Sequence, residues 1–117
     1  MPRSASAYLA DIVEACDAIE EVLRGVDYEA YSASRSTRSS VERELITIGE
    51  AAATLRRDAP DLFARMSHGH MVIGMRNVLT HDYAAVDDET VFGTVREDVP
   101  VIKRECSQFL EELEGAN

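Results

Sequence analysis

Apolar residues recur at three- and four-residue intervals along most of this chain, and no stretch alternates strictly between apolar and polar. Tyr8, Leu9, Ile12, Val13, Cys16, Ile19, Val22 and Leu23 keep the helical step, while Asp11, Glu14, Asp17, Glu20 and Glu21 fall mostly between them. An apolar stripe flanked by an acidic face predicts an amphipathic helix. Ser4 or Ser6 offers a starting cap and Gly25 a stop, which bounds the helix at about residues 5–24. Asp27 to Thr37 holds Tyr28, Tyr31 and several serines without a sustained period. It reads as a connection with room for one helical turn.

Val41, Leu45, Ile46, Ile48, Gly49, Ala52, Ala53 and Leu55 form the broad apolar face of a second helix, flanked by Glu42, Glu44 and Glu50, from near Ser39 to about Arg57. Gly49 inside it costs about 1 kcal/mol relative to alanine, so its presence points to close approach of a neighbouring helix or a ligand. Asp58-Ala59-Pro60 breaks the pattern, because the residue before proline is pushed out of helical backbone angles. Asp61 to Met66 reads as one short turn, and Ser67-His68-Gly69-His70 as a loop with solvent-exposed histidines. Met71, Val72, Ile73, Met75, Val78 and Leu79 give a third, shorter helix ending near Thr80. Asp87 or Asp88 caps a fourth, in which Val91, Val95, Val99, Ile102, Cys106, Phe109, Leu110 and Leu113 keep step to Glu114, with Gly115 as its stop. Pro100 lies inside that run and predicts a kink or a division into two helices. The pattern as a whole predicts an all-α, up-and-down bundle of four to five helices.

Composition narrows this picture. The 117 residues suit one domain spanning 1–117, large enough to bury a core without disulfides or a structural metal. No apolar run is long enough to span a bilayer, and Met1-Pro2-Arg3-Ser4 leads into an acid-containing amphipathic stretch instead of a signal-peptide core. A soluble, cytoplasmic protein with no membrane partner is the expectation. Cys16 and Cys106 stand far apart among helix formers, which predicts reduced, buried packing residues. The net charge of −10 argues against a broad basic surface for nucleic acid. Only residues 35–76, with 7 basic and 5 acidic side chains, carry a positive balance. An anionic ligand belongs there if anywhere. Arg35, Arg38, Arg43, Arg56, Arg57, Arg65 and Arg76 supply that balance, and most are expected to be solvated or paired with Glu42, Glu44, Asp58 and Asp61.

Chemistry concentrates in Gly74-Met75-Arg76-Asn77-Val78-Leu79-Thr80-His81-Asp82-Tyr83. Arginine is a permanent, forked cation suited to phosphate, and histidine can exchange a proton near neutral pH. On a regular helix, however, residues five apart point about 140° away from each other, so Arg76 and His81 do not share one face. Convergence requires a loosened helix end, a long reach by Arg76, or a second copy of the chain. Asn77, four residues before His81, lies on a shared edge with it and could orient the imidazole or a phosphate oxygen. A purely structural reading has Asn77 and His81 capping the helix and Tyr83 packing in the core. His68 and His70 lack an acidic or thiol ligand at a recognised spacing, so no metal site and no cofactor is expected. Tyr28 and Tyr31 are expected to pack at a loop edge and not to stack on bases.

Arg76-Asn77-x-x-x-His81-x-Tyr83 resembles the Arg-x4-His-x-Tyr signature of the HepT-like proteins of the HEPN superfamily. Tyr8-Leu9-x-Asp11-Ile12, Ile48-Gly49-Glu50-Ala51, Pro60, Ile73-Gly74-Met75-Arg76 and Val86-Asp87 are similar to that family as well, so the likeness covers almost the whole chain. Two features depart from it. The chain has no tryptophan before the Ile-Gly-Met-Arg stretch, and Phe92 stands where tryptophan is common.

The resemblance implies a HEPN-like helical homodimer acting as a metal-independent RNA endonuclease, the toxin of a toxin–antitoxin module. Its antitoxin would be an MNT-type nucleotidyltransferase. In that reading His81 is the general base or acid, Arg76 stabilises charge on the scissile phosphate, and Asn77 positions one of them. Tyr83 would be the hydroxyl that the partner modifies with AMP. The alternative is a non-catalytic dimeric binding module that serves as substrate or scaffold for a nucleotidyltransferase, with Arg76 and His81 contacting nucleotide phosphates. A plain helical dimerisation domain would leave the clustering of Arg, Asn, His and Tyr unexplained.

Overall fold

The computed structural model describes residues 3–115, so Met1 and Pro2 of the expected start lie outside it. Among these residues the protein is all-α, with seven α-helices, one 3-10 turn and no strand. The helices are α1 (Ala5–Val22), α2 (Tyr28–Ala33), α3 (Arg35–Asp58), α4 (Pro60–Phe63), α5 (Gly69–His81), α6 (Asp88–Glu97) and α7 (Val99–Gly115). The expected four to five helices are all present, and the surplus comes from the connections.

The surplus is α2, in Asp27 to Thr37, and α4, which begins at Pro60. Asp27 caps α2 by accepting from Ala30 N at 2.9 Å, and Ser34 ends α2 and caps α3 by accepting from Thr37 N at 3.2 Å. The second long helix therefore starts at Arg35, earlier than the apolar face beginning at Val41 suggested. Short polar side chains satisfied the first free N–H groups, a start signal independent of hydrophobic period. The long C-terminal run divides in two at Asp98, and Pro100 sits in the first turn of α7, where its missing N–H has no helical partner to lose. Gly25, with φ of +71°, takes the left-handed conformation that follows the end of α1. The loop around the His-x-His pair is shorter than expected, because α5 begins at Gly69 and takes in His70.

The four long rods run alternately up and down. Tyr8 and Asp11 of α1 lie near Glu50 and Thr54 of α3, whereas Ala15 and Ala18 lie near Glu44 and Thr47, so the two helices are antiparallel. Gly49 of α3 abuts Arg76 of α5, and Glu42 reaches Tyr83, which reverses direction again. Lys103 of α7 pairs with Asp17 and Glu20 of α1, while Arg96 at the end of α6 donates to Val26 O beyond α1. The core joins Leu9, Ile12, Cys16 and Ile19 of α1 with Leu45, Ile48 and Leu55 of α3, Val72 of α5 and Ile102 and Cys106 of α7. Burial pushes the thiols of Cys16 and Cys106 up to about 12, as befits unreactive packing residues. Phe92 fills an aromatic corner, 5.6 Å from the ring of Tyr28 and 5.2 Å from that of the fully buried Tyr31. Both tyrosines thus pack, on a helix instead of a loop edge. No helix among the described residues is long and apolar enough to cross a membrane.

Candidate active site

The ten residues that concentrate the chemistry occupy the second half of α5 and the turn after it. The helix stays regular to its end: Thr80 Oγ1 donates to Arg76 O at 2.9 Å and Asp82 N closes on Val78 O at 3.0 Å. It does not loosen before His81. The 3-10 turn Tyr83–Ala85 follows directly and leads through Val86 to α6, where Asp87 accepts from Glu89 N and from Thr90 Oγ1.

Arg76 is placed by packing. A methyl group built at Gly49 would stand 2.3 Å from Arg76 Cβ and 2.8 Å from Val72 O, so only a glycine lets α3 and α5 meet this closely. The close approach anticipated from Gly49 is therefore to a helix, and to the turn that carries the motif's arginine. Arg76 Nε is buried with no hydrogen-bond partner. Among the arginines of the basic middle third, Arg38, Arg57 and Arg65 pair with Asp88, Asp58 and Glu112. Arg35, Arg43, Arg56 and Arg76 have no carboxylate partner among the described residues. Of those four only Arg76 is half-buried; the others are solvated.

Asn77 and His81 are exposed on α5. Neither side chain makes a cap bond, and no side-chain hydrogen bond joins Arg76, Asn77 and His81 to one another among the described residues. Tyr83 is not a core residue, since 61% of it is exposed. Its hydroxyl donates across the helix pair to Glu42 Oε1 at 3.1 Å. Glu42 is only 7% exposed. Burial raises its pKa first of all, with a further push from Asp88, against the opposing effects of the Tyr83 bond and Arg38. The bond to Glu42 likewise raises the Tyr83 phenol. Arg38 is held at this corner by Ser32 O and lies 3.9 Å from Asp88.

Glu42 was not singled out from the sequence for any site, and Arg38 was named only among the arginines of the basic middle third. Their signal was present in the spacing: Arg38, Glu42, Leu45, Gly49 and Ala52 recur at three and four residues, so Glu42 shares the stripe that carries Gly49 towards α5. On the opposite flank of α5, Met71, Gly74, Met75 and Val78 line an apolar groove of about 280 Å³ with Val86, Thr90, Val91 and Thr94. His68 lies 3.7 Å from Asp98, and His70 stands edge-on to Phe63. No three His, Cys, Asp or Glu side chains gather as a metal cluster among the described residues.

Comparison with known proteins decides the family. A model of the family described as "Ribonuclease HepT-like" matches residues 12–109. The chain belongs to the HepT-like family. A "putative RNase" of Methanocaldococcus jannaschii is 35% identical over 103 residues, covering 88% of this chain and 94% of its own. A "probable ribonuclease HepT" of Thermococcus cleftensis is 37% identical over 103 residues, covering 88% and 93%. A second M. jannaschii "putative RNase" is 31% identical over 113 residues, covering 97% and 93%. No solved structure matches. The HepT-like match includes Gly49, the whole Arg76–Tyr83 segment and Glu42, so the site lies wholly within the shared region.

Proposed function

We propose that this HepT-like chain is a metal-independent RNA endonuclease, the toxin of a two-gene module, silenced by adenylylation of Tyr83 by an MNT-type nucleotidyltransferase. The observation that carries the reading is Arg76, a half-buried cation without a carboxylate partner in a chain of net charge −10. A buried guanidinium N–H left without an acceptor costs about 1–3 kcal/mol, which a packed protein tolerates where the cation has work to do. Its work here is to neutralise charge on the scissile phosphate.

His81 takes the proton of the ribose 2′-hydroxyl or gives one to the leaving oxygen, and Asn77 orients the imidazole or the phosphate. The nucleophile belongs to the substrate, so the upstream product ends in a 2′,3′-cyclic phosphate. The regular helix keeps Arg76 and His81 on different faces, and a homodimer completes the site by bringing two α5 segments across a cleft. Val78, 36% exposed beside an apolar groove, is suited to such a contact. The exposed ring of Tyr83 is reachable by a modifying enzyme. An adenylate there adds bulk and negative charge two residues from His81, which repels RNA.

The test is cleavage of tRNA and mRNA pools in the presence of a chelator, with wild type beside His81→Ala. The expected result is cleavage leaving cyclic-phosphate ends, lowered at least ~100-fold by the substitution, the usual scale for general acid–base catalysis. Equal cleavage by both proteins, or none by either, sinks the assignment.

A further inference from the structure

The contact between Tyr83 and Glu42 is the one hydrogen bond that either side chain makes among the described residues. Its acceptor is unusual for a surface turn. Glu42 is a nearly enclosed carboxylate on the helix stripe it shares with Arg38, Leu45, Gly49 and Ala52, and it has no ion pair among the described residues. Arg38, one turn earlier, is turned to Ser32 O and Asp88. Taking a carboxylate out of water without a paired cation is expensive, and a glutamine or leucine would occupy the same stripe at less cost. A carboxylate differs from both in one respect: it can accept a proton. The proton in reach is that of the Tyr83 hydroxyl.

We propose that Glu42 is the general base for nucleotidyl transfer to Tyr83. The inference rests on the modification of Tyr83 proposed above and adds the residue that makes this phenol reactive. Tyr83 Oη forms a bond to the α-phosphorus of a nucleoside triphosphate held by the modifying enzyme. The bond from that phosphorus to the bridging oxygen breaks, and pyrophosphate leaves with the electron pair. The phenolic proton passes to Glu42 Oε1, which later releases it to water. With its hydrogen directed at Glu42, Oη keeps its lone pairs for the phosphorus, and the exposed ring leaves the approach open.

Tyr83 of the 3-10 turn, Asp88 of α6 and Arg38 on the same helix are the charged and titratable groups that act on this carboxylate, and its own charge acts in turn on Tyr31 of α2. Burial raises the carboxylate's affinity for a proton, as a base needs, and the bond to Glu42 raises that of the phenol too. Tyr31 carries a buried hydroxyl with no partner in the same cluster, raised by burial and by the Glu42 charge. Once modified, Oη is an ester oxygen and can no longer donate. The adenylated side chain therefore has no bond to resume at Glu42.

The experiment follows labelling of the full-length protein by its cognate nucleotidyltransferase with magnesium-ATP, read by intact and peptide mass spectrometry between about pH 5 and pH 9. Glu42→Gln keeps the shape and can still accept the Tyr83 bond, but it cannot take the proton. Wild type is expected to label on Tyr83 with a rate that rises as a carboxylate loses its proton. Glu42→Gln is expected to label ~100-fold more slowly and to lack that rise. Glu42→Asp, which keeps a carboxylate, is expected to recover part of the rate together with the rise. Labelling of Glu42→Gln at the wild-type rate, or uniformly slowed labelling with the pH rise intact, overturns the base assignment while the modified Tyr83 stands. Wild type carrying no label on Tyr83 overturns the modification and the inference together.

Discussion

Arg76 and Tyr83 lie at the two ends of one short segment, and different physics holds each. At Arg76, α5 presses on α3 with nothing but the hydrogen of Gly49 between the backbones, and Val72, whose carbonyl belongs to the contact, is fully buried. At Tyr83 the chain has left the helix for a 3-10 turn in which no residue is buried, and one hydrogen bond to Glu42 ties the side chain down. The packed end resists displacement, because close-packed atoms have nowhere to go. The tethered end moves when a single bond breaks. A segment built this way keeps a cation fixed on the scaffold while leaving the tyrosine exposed and held by a single bond.

The packed end is tested most severely by one added methyl group. Gly49→Ala would gain about 1 kcal/mol from helix propensity. The atoms it meets are a backbone oxygen and a Cβ, neither of which can swing aside as a flexible side-chain tip would. Overpacking of this kind costs about 1–3 kcal/mol and occasionally more. After the helix-propensity gain is subtracted, the expected outcome is a net loss of up to roughly 2 kcal/mol in urea unfolding, with RNA cleavage lowered as Arg76 shifts. A variant more stable than wild type would show that α3 and α5 are not in contact at this point.

That contact was half legible beforehand. A glycine inside a strongly periodic helix is a local conflict, and such conflicts mark close approach, so Gly49 could be named without knowing its partner. Pro100 was legible in the same manner, because proline forbids one backbone bond wherever it stands. The helix α2 and the early start of α3 were not, since their signals are single capping side chains, Asp27 and Ser34, in a stretch without period. At the site, residue types drew attention to Arg76, Asn77, His81 and Tyr83 but left a capping and packing reading open, and the roles proposed for them came from the family resemblance. Glu42 was hidden because its partner lies 41 residues away, and a glutamate flanking an apolar face is ordinarily solvated. Pairing across two helices is a tertiary fact. Periodicity bounded it to one stripe but could not supply the other half.

Glu42 holds the tethered end from the helix that packs on the other, and its titration gives a signed prediction. Its folded pKa is raised above the ordinary 4.5, chiefly by burial, so the folded chain keeps a proton that the unfolded chain has already lost. The contribution of Glu42 to stability therefore falls as pH rises from 4.5 through the raised value, and levels off above it. Glu42→Gln removes that titration. Measured against wild type, the variant should gain stability as pH rises from about 4 to 7, read as the difference in thermal midpoints. A difference that stays constant, or runs the other way, would mean that the Tyr83 bond and Arg38 satisfy the carboxylate more fully than its burial suggests.

The smallest effect belongs to Thr80, and its smallness is informative. Thr80 Oγ1 donates to Arg76 O at 2.9 Å on the exposed side of α5. That carbonyl lies within the helix ladder, so the extra bond is not its sole satisfaction, and alanine is the better helix former. The two terms oppose each other at a solvated position. Thr80→Ala should therefore leave stability within about 0.5 kcal/mol of wild type in urea unfolding. Gly49→Ala and Thr80→Ala act on α5 within one turn of Arg76, one from the packed side and one from the solvated side. If Thr80→Ala lost as much stability as Gly49→Ala, the outer face of α5 would be knit as tightly as the inner one. A tyrosine held by one bond would then be harder to reach than its exposure implies.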